Sequence, residues 1–162
     1  MSLELDLILR LVAAALMGAL IGLEREYRAK EAGFRTNFLV ALGSALFMIL
    51  SAHGFDSVLG GDFAQMHDNN FRLDVSRIAA QVVTGIGFIG AGTIILRKNV
   101  VRGLTTAACV WVVAAIGLAC GAGMYLIAGV STLLVLIGLE AFNFMLSKMK
   151  RKQYPDEEDE KN

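Results

Sequence analysis

This sequence of 162 residues has little of what a soluble domain, a disulfide-stabilised domain or a nucleic-acid-binding domain requires. Charged residues make up only 19% of it, against about 25% in an average soluble domain, and hydrophobic residues make up 56%. Two cysteines cannot build a disulfide scaffold. The 15 basic residues are balanced by 15 acidic ones, so the basic excess of a nucleic-acid-binding protein is absent. The composition therefore indicates a polytopic membrane protein.

Long uncharged stretches predict five membrane-spanning helices, because roughly 17–25 mostly apolar residues cross a bilayer core of about 30 Å. Residues 103–139 carry no charge but are too many for one crossing, so we predict a break at Gly121–Gly123. The first span must include Arg10, which we expect near a helix end. The predicted first span starts near Leu5 or Leu7 and ends at Leu23, and the others are residues 36–52, 78–96, 104–120 and 124–146. We expect an all-α transmembrane domain over residues 1–150 and a disordered acidic tail over residues 151–162.

The distribution of charge predicts the orientation. Basic residues follow the first, third and fifth spans, whereas acidic residues precede the first span and dominate the loop after the second. Cytoplasmic flanks carry the excess of lysine and arginine. We therefore predict an extracytoplasmic N-terminus and a cytoplasmic C-terminus, which agrees with an odd number of spans.

Enzymatic motifs are missing from the sequence, which contains no HExxH pair, no GxSxG elbow and no Walker A loop. Gly85, Gly87 and Gly90 have the spacing of a dinucleotide-binding fingerprint. That motif requires a strand before it and a helix opening after it, and here it lies inside a predicted span. We expect no enzymatic activity and no cofactor.

Small residues inside the spans predict close helix packing, because helices in lipid associate through tight contacts rather than through the hydrophobic effect. An alternative interpretation is that the glycines of the third span line a substrate path or break the helix at a site. The glycines predicted to pack are Gly18 and Gly22 in the first span and Gly85, Gly87, Gly90 and Gly92 in the third.

Polar residues near the span ends form a predicted functional network. It comprises Glu24, Arg25, Arg35, Thr36, Asn37, Arg77, Gln81, Thr105 and Thr106. A buried structural network and a ligand site, such as one for a hydrated cation, both fit these residue types. Arg10 and Glu140 are predicted at opposite depths and are not expected to pair. We interpret the acidic segment from about 53 to 76 as a solvated loop rather than as a sensor of divalent cations.

Four motifs follow one another along the sequence. They are GLERE at 22–26, AGFRTN at 32–37, RIAAQVVTGIGFIGAG at 77–92 and RGLTTAA at 102–108. In this order and spacing they resemble the membrane domain of the MgtC/SapB family. The resemblance implies an all-helical unit of about five spans in the bacterial inner membrane. It also implies a role in magnesium homeostasis or adaptation to low magnesium, with Mg²⁺ as an ion that is sensed or transported.

The resemblance further implies partners within the membrane. Some relatives are thought to act by binding other membrane proteins, including the ATP synthase, and we expect a homo-oligomer, with a dimer as the simplest form. Better-known members continue into a cytoplasmic domain of the ACT type, whereas this sequence closes with a short acidic tail, so we expect a short form. The competing hypothesis is an oligomeric transporter or channel for Mg²⁺ or another small solute.

Overall fold

The computed structural model describes residues 2–54, 75–97 and 100–153. Within these ranges the chain forms five helices and one short hairpin. They are α1 (Leu3–Tyr27), α2 (Phe34–His53), α3 (Val75–Gly92), β1 (Ile95–Arg97), β2 (Val100–Arg102), α4 (Leu104–Gly121) and α5 (Tyr125–Gln153). Most of the predicted acidic loop and residues 154–162 of the predicted tail lie outside the described residues.

The helical character of the protein is confirmed. In the part of the chain that the structure describes, α1, α2 and α4 are long and apolar enough to cross a membrane. Two shorter apolar segments, Arg77–Gly92 and Tyr125–Ala141, lie in α3 and α5. The count of five spans stays a prediction.

The predicted break between the last two spans is confirmed. Helix α4 ends at Gly121, and α5 begins at Tyr125. Gly123 between them has a φ of +79°, in the left-handed region that favours glycine. The Met124 N–H closes the turn by donating to the Ala119 carbonyl at 2.8 Å.

The predicted end of the third span at Leu96 was wrong. Helix α3 stops at Gly92, and β1 then pairs antiparallel with β2. The strands are rich in β-branched residues, which favour extended backbone, while Gly90 and Gly92 weaken the end of the helix. Gly103 follows the hairpin with a φ of +87°, and a Cβ there would lie 1.9 Å from the Thr93 carbonyl oxygen.

Helix α2 is packed tightly between α1 and α4 by glycines. A Cβ on Gly18 of α1 would lie 2.6 Å from the Ala41 Cβ, and one on Gly117 of α4 would lie 2.3 Å from the Ala41 carbonyl oxygen. Ala41 is fully buried between these two helices. The backbones therefore approach as closely as small residues permit.

Consecutive helices run in opposite directions, so the bundle has two distinct ends. Gly22 near the end of α1 touches Phe34 at the start of α2, and Gly90 near the end of α3 lies against Ala107 at the start of α4. We call this the Arg25 end. Arg10 near the start of α1 lies against Gly123 after α4, at the opposite Arg10 end.

Candidate functional site

A buried arginine is the centre of the polar network at the Arg25 end. Arg25, in the last turn of α1, is 3% exposed, and its Nη2 donates to Thr106 Oγ1 at 3.1 Å. The hydroxyl of Thr106 in turn donates to Glu31 Oε2 at 3.2 Å. A buried charge needs such partners because leaving it unpaired in a low dielectric is costly. The three residues tie α1, the α1–α2 loop and α4 together.

Glu31 is held in its ionised form by this arrangement. A hydrogen bond from its own backbone N–H lowers the pKa of Glu31 most, followed by the bond from the Thr106 hydroxyl; the positive charges of Lys30 and Arg25 contribute less. Hydrogen bonds to the charged form of a carboxyl favour ionisation. Sequence reasoning missed Glu31, because the acid stands in a short loop and its partner is 75 residues away.

A second group of charges joins α1 to α5. Arg28 Nε lies 2.7 Å from Glu24 Oε1, and Arg28 Nη2 also contacts Glu140 Oε2. The close ion pair with Glu24 is not a well-aligned hydrogen bond, and both buried Glu24 oxygens lack a hydrogen-bond donor among the described residues. The contact with Glu140 is the main cause that raises the pKa of Arg28 above its ordinary value. Two carboxylates against one guanidinium leave a net negative charge.

Asn37 fixes the start of α2 from inside the protein. Its side chain is fully buried, and its Nδ2 donates to the carbonyl oxygens of Ala32 and Gly33, both at 2.8 Å. The Phe34 N–H, at the N-terminus of α2, donates to Glu26 Oε2 at 2.8 Å. The motif over residues 22–37 therefore builds a tight α1–α2 corner.

The structure divides the remaining predicted network. Thr105 and Arg35 are exposed at the Arg25 end, and Thr36 is partly buried there. Arg77 and Gln81 lie in the first half of α3, towards the other end of the bundle, and both are exposed. Gln81 is therefore not brought together with Glu24, Arg25 or Thr106.

A groove runs between α2 and α3. Its volume is about 550 Å³, and Gln81 is one of its few polar lining residues. Among the lining residues are Leu39, Gly43, Phe47, Gln81, Gly85 and Ile89.

The six predicted packing glycines fall into two groups. Gly18 and Gly22 are buried in the α1–α2 contact. A Cβ built on Gly90 would lie 3.5 Å from the Ala107 carbonyl oxygen, which is an ordinary van der Waals contact. A Cβ built on Gly85, Gly87 or Gly92 would have no described atom within 4 Å apart from the adjoining residues of α3 itself.

Arg10 and Glu140 occupy opposite ends of the bundle. Arg10 Nε donates to Asp6 Oδ2 at 2.8 Å, and Arg10 Nη1 donates to the Gly121 carbonyl at 2.9 Å. A cation at this position complements the C-terminus of α4. Glu140 contacts Arg28 at the Arg25 end.

Within the described ranges, no group of three or more His, Cys, Asp or Glu side chains is arranged to hold a metal ion. Cys109 and Cys120 are both buried, and neither forms a disulfide with any residue that the structure describes.

Comparison with known proteins agrees with the four motifs. The MgtC family matches over residues 11–148, which include every motif. The chain belongs to the MgtC family. It is therefore a membrane protein of a magnesium-related family.

Curated relatives of this MgtC-family chain are similar over most of its length. "Putative magnesium transporter YhiD" of Escherichia coli K12 is 48% identical over 149 residues, which are 92% of this chain and 66% of YhiD. "Protein MgtC" of Salmonella typhimurium LT2 is 45% identical over 80% of this chain and 49% of that protein. "Protein MgtC" of Brucella abortus 2308 is 44% identical over 78% of this chain and 47% of that protein.

The chain thus spans just under two thirds of YhiD and about half of the MgtC proteins. No solved structure matches this MgtC-family chain.

Proposed function

We propose that the protein acts without enzymatic chemistry in magnesium homeostasis or low-magnesium adaptation, by binding other proteins within the bacterial inner membrane. The family and the magnesium-related name of its relative support the physiological part. The polar residues at the Arg25 end support a non-enzymatic role, because Arg25, Thr106 and Glu31 bind one another and join structural elements.

The hypothesis that the protein binds other membrane proteins rests on one observation. Helix α3 has an exposed face that packs against no other described helix, which we call its outward face. Thr84, Gly87, Phe88 and Ala91 are all exposed, and Phe88 is 85% exposed. Gly87 and Ala91 are four residues apart, so they form a shallow small-residue stripe beside a large aromatic side chain. The Thr84 hydroxyl donates to the Ala80 carbonyl at 3.0 Å, so the hydrogen-bonding capacity of this side-chain donor is satisfied within α3. Such a face suits a helix of another membrane protein, or of a second copy in a homodimer.

The placement in the membrane belongs to the same proposal. The five helices would each cross once, with α3 and α5 crossing despite their shorter apolar segments. The Arg25 end would face the cytoplasm, because Arg25, Arg28 and Lys30 gather there. The ATP synthase, which the family resemblance suggests, is one candidate partner.

The second candidate is an oligomeric transporter or channel for Mg²⁺ or another small solute. The printed name of YhiD and the position of Gln81 on the α2–α3 groove favour it. A path from Gln81 to Glu24 would need to form between copies, since a single chain keeps these residues apart.

Two measurements separate the candidates. We expect liposomes that contain only the purified protein to show no Mg²⁺ flux above empty liposomes. Flux that Glu24→Gln or Gln81→Ala abolishes would establish the transporter instead.

In cells that depend on this protein at low magnesium, we expect Gly87→Leu to impair growth and Gly92→Leu to leave it unchanged. Both positions are open, but they lie about 140° apart around α3.

A further inference from the structure

The α2–α3 groove is formed by two rows of residues that each follow a helix turn by turn. On α2 the row is Leu39, Gly43 and Phe47, and on α3 it is Gln81, Gly85 and Ile89. Residues four apart stand above one another on a helix. Gly43 and Gly85 leave the middle of the groove open, since a Cβ built on either of them would have no described atom within 4 Å apart from the adjoining residues of its own helix.

The dimensions of the groove suit a single hydrocarbon chain. On α3 the lining extends from Ile78 to Ile89, which is about 16 Å at 1.5 Å per residue. That length is close to one leaflet, or half of a core about 30 Å thick. An α-helix with its side chains is about 10 Å wide, so a 16 Å length would fill roughly 1,250 Å³. The groove has a volume of about 550 Å³, so it is too small to enclose a helix of that length.

The charge at one end of the groove indicates the polar part of the occupant. Arg77 lies four residues before Gln81 and therefore extends the α3 row by one turn beyond the groove. Its side chain is exposed, as is that of Gln81. Arg35 extends the α2 row at the other end, but no polar residue of the α2 row stands between it and Gly43. A cation and an amide on one row complement a phosphate group.

We propose that the α2–α3 groove binds one acyl chain of an anionic phospholipid whose phosphate lies at Arg77 and Gln81. The chain lies along Gly43 and Gly85, and its end reaches Leu39 and Ile89. This site is separate from the outward face of α3, because Gly85 and Gly87 are about 160° apart around the helix.

The experiment measures the phospholipid that remains bound to the purified full chain, by native mass spectrometry after transfer to detergent. We expect one retained phospholipid per chain in the unmodified protein. Gly85→Leu places a side chain in the open middle of the groove and should reduce retention at least tenfold, and Gly43→Leu should do the same from the opposite wall. Gly87→Leu is the matched control, because it adds the same side chain to an equally open position outside the groove, and it should retain the lipid.

The head group is tested with vesicles of phosphatidylcholine that contain one tenth phosphatidylglycerol. We expect the protein extracted from them to be enriched in phosphatidylglycerol, and Arg77→Gln, but not Arg35→Gln, to abolish the enrichment. Equal retention in the Gly85→Leu and Gly87→Leu proteins would overturn the proposal. So would a change of oligomeric state in Gly85→Leu without lipid loss, which would make the groove a contact between copies.

Discussion

The glycines of α1 and α4 and those of α3 have similar spacing but opposite surroundings. Gly18 and Gly117 face the backbone and Cβ of α2 at distances that admit no further atom, whereas Gly85 and Gly87 face space that no described residue fills. A glycine stripe therefore has two uses in one small membrane protein. It closes the α1–α2–α4 core, and it leaves two faces of α3 available, the groove face at Gly85 for a lipid and the outward face at Gly87 for a protein.

The largest expected effect comes from filling a closed glycine. A Cβ on Gly117 would lie 2.3 Å from a backbone oxygen of α2, which cannot move away as a flexible side chain could. We expect Gly117→Leu to lower the free energy of unfolding by about 3 kcal/mol or more. Gly87→Leu should leave it unchanged or raise it slightly, because leucine favours helix over glycine. Thermal unfolding in detergent measures both, and equal losses would remove the distinction between the two groups of glycines.

A smaller effect is expected from the polar network of Arg25, Thr106 and Glu31, which joins α1 to α4. Thr106→Val keeps the shape of the side chain but removes the hydroxyl that accepts from Arg25 and donates to Glu31. Leaving a buried partner unsatisfied should cost about 1–3 kcal/mol. The neighbouring Thr105 is exposed, so Thr105→Val should change stability by less than about 0.5 kcal/mol. Chemical denaturation of the two variants provides the comparison, and a larger loss at Thr105 would contradict it.

The smallest effect is a pH dependence at the edge of the core. The pKa of Glu31 is lowered in the folded protein from its ordinary value of 4.5, so the unfolded chain binds more protons between the two values. The stabilisation is complete above pH 4.5 and is lost as the pH falls through the folded pKa. We expect Glu31→Gln to remove this part of the acid sensitivity in a thermal unfolding series, and an unchanged acid sensitivity would contradict the role of Glu31.

The sequence predicted the helical class, the Gly121–Gly123 break and the opposite positions of Arg10 and Glu140, because charge and hydropathy determine which residues can lie at a given depth. It could not predict which face of a helix meets a neighbour. Gly22 and Gly87 both lie in small-residue stripes, yet within the part of the chain that the structure describes only Gly22 touches another helix. The partner of Glu31 could not be predicted for the same reason, since Thr106 is its neighbour only because of how α4 is oriented about its own axis. The hairpin was missed because its short apolar strands continue the hydropathy of α3.

The hydrogen bond from Arg10 to Gly121 has a consequence for biosynthesis. It joins residues that are 111 positions apart, so it cannot form until α4 has left the ribosome. Asp6, four residues away, is available from the beginning and can accompany the arginine as the first helix enters the bilayer. The carbonyl of Gly121 then takes up its bond when α4 arrives. Arg10 thus has an early partner for insertion and a later one that becomes available with the end of α4.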